Sequence, residues 1–165
     1  MTQNLFSRIR RNHGLEHATL NLLHARYPHR AFAGHSDAGG FWILGEITAP
    51  QLTEVVKDAL EQLRGGKRNL AFHDNCGTNL LTSGALAGLA GALGLLGTGD
   101  KPRRKWERIP LIITLATIAL VISRPLGRYL QKHVTTDGDP GSLQIQKVIT
   151  HQQGQVKAHR IHTRG

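Results

Sequence analysis

The chain has only one cysteine, Cys76, so no intramolecular disulfide can form and the scaffold of small disulfide-rich secreted proteins is excluded. Acidic residues are also few, 11 against 21 lysines and arginines, which leaves a formal charge of +10. Such a balance suits nucleic acid or an anionic lipid surface. Aromatic residues are scarce as well, and no basic run interleaved with aromatics or nucleic-acid motif accompanies the charge. Membrane lipids are therefore the expected partner, and no nucleic acid is expected. The N-terminal residues 1–11 lack the consecutive apolar residues of a signal-peptide core, and no small-residue cleavage site follows. Any insertion into a bilayer is expected from internal segments.

Charge itself is missing from two stretches. Nothing between Asp74 and Asp100 is charged, nor between Arg108 and Arg124. Thr78 to Leu96 is long enough to cross a bilayer as a helix. Within it Gly84, Gly88, Gly91 and Gly94 recur at threes and fours, a stripe where another helix approaches closely. A protein partner or a second copy of the chain would use Gly84, Gly88 and Gly91. Ile109 to Ser123 is shorter, about 22 Å of helix. Its flanks extend it: Arg108 and Arg124 can snorkel, and Trp106 and Tyr129 stand where interfacial aromatics would. Pro125 is expected to kink the far end. Lys101, Arg103, Arg104, Lys105 and Arg108 form a basic tip between the two segments. The expected arrangement is a two-helix membrane hairpin, multi-pass, with the folded parts on the cytoplasmic side.

The remaining residues are patterned for an α+β fold. Residues 4–26 carry apolar residues at helical spacing and stop before Pro28. Residues 30–36 and 41–47 read as strands around the turn Asp37-Ala38-Gly39-Gly40. Thr48 to Gln51 has the form of a capping box with proline in the first turn, opening an amphipathic helix that Gly65-Gly66 stops. Residues 69–73 read as a third strand. Residues 143–150 and 155–162 read as a C-terminal β-hairpin about Gln153-Gly154, expected to join the same sheet. The expected parts are an α-β-β-α-β unit over 1–76, the membrane hairpin over 77–132 and the β-hairpin over 133–165.

Chemistry concentrates in two short motifs. His13-Gly14-Leu15-Glu16-His17 has the H-x-x-E-H form, in which two histidines four apart project from one helix face and can share an ion. Glu16 beside them is the candidate general base or an added ligand. His73-Asp74-Asn75-Cys76 supplies a second pair, with Cys76 at a helix start, where a thiolate is favoured. His13, His17, His73 and Cys76 are thus the candidate ligands for Zn²⁺ or another divalent transition metal.

Arg11-Asn12-His13-Gly14-Leu15-Glu16-His17-Ala18-Thr19 and His73-Asp74-Asn75-Cys76-Gly77-Thr78 also resemble the paired signatures H-G-x-E-H and H-x-x-C-G-T. These mark an uncharacterised family of bacterial membrane proteins labelled predicted metal-dependent enzymes, or a sister family of it. The resemblance covers both motifs, their separation and the apolar helix after Cys76. It implies a metal site at His13, His17, His73 and Cys76, with Glu16 as acid/base.

Two functions compete. In the first, a membrane-anchored zinc hydrolase of peptidase or amidase type works at the membrane surface, with Glu16 taking a proton from water. The H-x-x-E-H order is that of inverzincin peptidases, which carry a further acidic ligand downstream; Glu46, Glu54 and Glu61 are the residues available. In the second, a closed His₃Cys site staples the fold without catalysis, and the protein binds lipid or a protein partner. A thiol enzyme with Cys76 as nucleophile and His73 as base is a third reading.

Overall fold

A computed structural model describes residues 4–97, 99, 102–153 and 156–165. The chain divides into two units, one formed by residues 1–73 with 132–165 and the other by residues 74–131.

The first unit is a four-stranded antiparallel sheet with two helices, an α+β fold. Helix α1 (Leu5–Arg26) starts at Asn4, whose side chain accepts the amide of Phe6, and ends before Pro28. Strands β1 (Ala33–Asp37) and β2 (Gly40–Leu44) form a hairpin about Gly39 and Gly40. Gly40 has φ 140, a left-handed conformation that favours glycine. Helix α2 (Ala49–Arg64) opens on the capping box expected from sequence, Thr48 and Gln51 each accepting the other's backbone amide. The C-terminal strands β3 (Gln144–Gln153) and β4 (Val156–Arg164) join the same sheet, in the order β1-β2-β4-β3. The turn residues Gly154 and Gln155 lie outside the described residues.

The third strand expected at 69–73 is instead a 3₁₀ turn at Arg68–Ala71. Its carbonyls are claimed from the side. The Asn21 amide donates to Leu70 O and Phe72 O at 2.9 and 3.1 Å, and His17 Nδ1 donates to Ala71 O at 2.9 Å. Strand β4 takes the place beside β2, from Gly40↔His162 to Leu44↔Ala158. Buried Leu15, Leu23, Phe41, Ile43, Val55, Val56 and Ile161 form the core between the helices and one sheet face. Across that core Asn12 ties α1 to the sheet, donating to Asp37 O at 2.8 Å and accepting from Thr163 at 2.7 Å.

In the second unit, α3 (Gly77–Gly94) packs on α5 (Ile109–Leu130), with the short α4 (Pro102–Glu107) between them in sequence. The helices approach at glycine. A side chain at Gly94 would strike Ile112, one at Gly127 would strike Asn79, and the Ser83 and Ser123 hydroxyls bond at 2.7 Å. Gly91 also faces Ile112, so that part of the stripe serves α5, whereas Gly84 and Gly88 border open space. Helix α5 continues through Pro125 to Leu130 and then into a π-helical turn at Gln131–Thr135.

Of the two segments expected to span a bilayer, the one containing α5 is long and apolar enough to do so. Only 6% of its most apolar window is buried, which is the reverse of a soluble core helix. Helix α3 falls short of the same measure because five glycines, an asparagine and two threonines dilute its leucines. Trp106 and Tyr129 are both exposed. Of the basic tip, Lys101 lies outside the described residues, while Arg103, Arg104 and Lys105 sit on α4.

Candidate metal centre

Helix α1 carries His13 and His17 on one face, one turn apart, with ring centroids 4.3 Å from each other. His73 stacks on His17 at 5.2 Å. With Zn–N bonds of about 2.0–2.1 Å, two imidazoles on one tetrahedral ion have centroids roughly 5 Å apart. The pairs His13–His17 and His17–His73 lie near that scale. The His24 ring, one step further along, is 6.3 Å from His73 and on an exposed residue.

What prepares the two helix histidines is backbone. His13 Nδ1 lies 2.9 Å from Thr135 O and His17 Nδ1 lies 2.9 Å from Ala71 O. A carbonyl oxygen can only accept, so each Nδ1 carries a proton, and in the neutral ring this leaves the lone pair on Nε2, the form in which imidazole ligates a metal. Gly14 makes the first of these bonds sterically feasible. The returning segment crosses α1 there, Asp137 N donates to Arg10 O at 3.0 Å, and a side chain at position 14 would strike Asp137 O.

Cys76 follows His73 by three residues. It is the N-cap of α3, where its buried sulfur accepts the amide of Thr78 at 3.4 Å. A sulfur at a helix N-terminus faces backbone N–H groups, and cysteine sulfur is a common ligand of divalent transition metals. Among the described residues, the ligand atoms of His13, His17 and Cys76 lie within 4.8 Å of one another, so this group could hold a metal ion. His73 is beside His17 but is not in that closest group. The donor set is two imidazoles oriented by backbone carbonyls and one cysteine sulfur.

Glu16 is buried, and its carboxylate packs against β1, where a side chain at Gly34 would collide with it. The glutamates available as a downstream acidic ligand are all exposed. Glu46 pairs with Lys157 at 3.0 Å, Glu54 pairs with Arg26 at 3.1 Å, and neither these nor Glu61 belongs to the histidine–cysteine group.

Elsewhere in the sheet, Arg160 donates to Asp37 at 2.7 Å and holds its carboxyl below the usual range. Burial lowers the pKa of His159, which meets the Thr150 hydroxyl at 2.8 Å, and of His162.

Sequence reasoning named the side chains and missed the carbonyls of Thr135 and Ala71 that orient them. A backbone carbonyl has no residue signature. Gly14 was the available signal, since a glycine inside a helix costs about 1 kcal/mol against alanine and so implies a close approach.

The chain is similar to an uncharacterized protein of Picosynechococcus sp., 36% identical over 138 residues that cover 78% of this chain and 65% of that protein. It thus spans just under two thirds of that relative's length. No solved structure matches. Nothing in these comparisons ties the chain to the predicted metal-dependent enzymes that its paired motifs resemble. Residues 8–148 match the family described as "Domain of unknown function (DUF6391)", and the chain belongs to that family.

Proposed function

We propose that this is a membrane-anchored metal-binding protein whose centre, built on His13, His17 and Cys76 with His73 alongside, holds Zn²⁺ or another divalent transition metal. The observation that carries this reading is the pair of carbonyl-fixed imidazoles, His13 on Thr135 O and His17 on Ala71 O. Backbone carbonyls commonly orient metal-binding histidines in this way. The anchor is α5, with α3 as the second arm of a two-helix hairpin and both folded ends on the cytoplasmic side. Open space at Gly84 and Gly88 leaves a strip of α3 for a protein partner or a second copy of the chain.

In the catalytic form of this reading the protein is a zinc-dependent hydrolase of peptidase or amidase type, acting at the membrane surface. Zinc bound there would supply Lewis-acid activation of water. Glu16 would hold the proton removed from that water, and His13 and His17 would keep the orientation their carbonyls impose. The alternative is a structural site without catalysis in a protein that binds lipid or a partner. Two observations favour it: His17 and Cys76 are buried, and the Glu16 carboxylate packs against Gly34. Glu16→Gln separates the two. A hydrolase retains its metal and melting temperature and loses turnover of peptide or amide substrates, whereas a structural glutamate loses metal or stability with the substitution.

A further inference from the structure

Within the second unit, a cleft of about 560 Å³ is bounded by Asp74, Asn75, Cys76, Asn79, Ser83, Arg124 and Arg128. The two arginines are one turn apart on α5 but are not equivalent. Arg128 is spent on Asp74, with Nε and Nη2 each 3.1 Å from a carboxylate oxygen. The Asn79 amide holds the same loop by donating to Asp74 O at 3.0 Å. Arg124 lines the cleft, is exposed, and makes no ion pair among the described residues. With Asp74 and Arg128 paired to each other, Arg124 is the cation of the cleft left without a carboxylate among the described residues. The side chains of Asn75 and Ser83 add neutral polar groups, and exposed Leu80 forms an apolar wall.

From this we infer that the cleft binds a singly charged phosphate group through Arg124. A guanidinium presents a planar fork of donors that matches phosphate oxygens better than a point charge does. The volume falls in the range of small-molecule sites and exceeds what a bare phosphate fills. The apolar wall at Leu80 and the exposed Leu81 that follows suit an ester with a hydrocarbon portion. Two sources share this chemistry, a phospholipid headgroup and a soluble phosphate. The first requires that α5 lie in a bilayer. Neither requires the metal: Cys76 also lines the cleft, but the phosphate contact is assigned to Arg124, which is not a candidate ligand.

The test uses the full chain as purified in a neutral maltoside detergent, with and without prior chelation of metal. Native mass spectrometry reads retention of phosphatidylglycerol against diacylglycerol, which lacks the phosphate. Calorimetry with inorganic phosphate reads the soluble source. Phosphatidylglycerol is expected to be retained in preference to diacylglycerol, with affinity falling about tenfold or more in Arg124→Gln and partly restored in Arg124→Lys. An exposed position makes both variants compatible with the fold, which an unchanged melting temperature verifies. Arg124-dependent binding of inorganic phosphate without lipid retention would support the phosphate site and assign it to the soluble source. Equal retention of both lipids with no phosphate binding, or affinities indifferent to Arg124, would overturn the inference.

Discussion

The two units obey opposite burial patterns. In the first, Phe41, Ile43 and Ile161 are fully buried between sheet and helices, and interior polar groups such as Asn12 and Thr163 bond one another. In the second, Leu80, Leu81, Val121 and Ile122 are more than half exposed, while Ser83 and Ser123 meet between the helices. An apolar exterior with a polar seam is the arrangement expected when the surrounding medium is hydrocarbon. In the second unit, α5 is the helix long and apolar enough to meet such a medium.

The sharpest way to break this contrast is to truncate one large apolar residue in each unit. Phe41→Ala should cost about 3–5 kcal/mol in chemical unfolding of the first unit. Leu81→Ala should change stability by about 0.5 kcal/mol or less, because it leaves no cavity. Comparable losses would mean that Leu81 is packed against protein and that the contrast is false.

Gly14→Ala comes next, at about 1–3 kcal/mol, because the collision is with the backbone oxygen of Asp137 and not with a flexible side chain. It should also lower metal content, since the displaced segment carries Thr135 O. A variant of normal stability and full metal loading would show that the crossing at Gly14 does not position His13.

Acid should weaken the first unit in two steps. His159 has a lowered pKa in the fold, so its contribution is complete above the unfolded value of about 6.5 and is lost as pH falls through the folded one. Asp37 is also lowered, by Arg160, so its contribution is complete above about 3.9 and is lost on further acidification. The Asp37 carboxylate is half exposed, so solvent screening limits that pair to about 1 kcal/mol or less. Denaturant midpoints measured from pH 8 to pH 3 should show the upper step vanish in His159→Gln and the lower one shrink in Asp37→Asn. A rise in stability on acidification through pH 6 would contradict the burial of a neutral His159.

The same contrast explains what could be read from sequence. Local signals carried far: the capping box at Thr48–Gln51, the glycine turn before Phe41 and the C-terminal hairpin are all set by neighbouring residues. The segment 69–73 was misread as a strand because its carbonyls bond to Asn21 and His17, about fifty positions away. The far end of α5 was legible, since the flanks from Trp106 to Tyr129 extend its apolar run and the helix carries Pro125 internally as far as Leu130. At the candidate centre, His13, His17 and Cys76 were legible as residue types at ligand spacing. The orientation of Glu16 was not, because it depends on the missing side chain at Gly34 of another element.

Elemental analysis of the full chain, purified under zinc-replete conditions, tests the metal centre most directly. About one divalent ion per chain is expected, falling severalfold in His13→Ala, His17→Ala and Cys76→Ser, with chelation lowering the melting temperature of the wild type. A metal-free protein whose stability is unchanged by chelator and by His13→Ala would contradict the account.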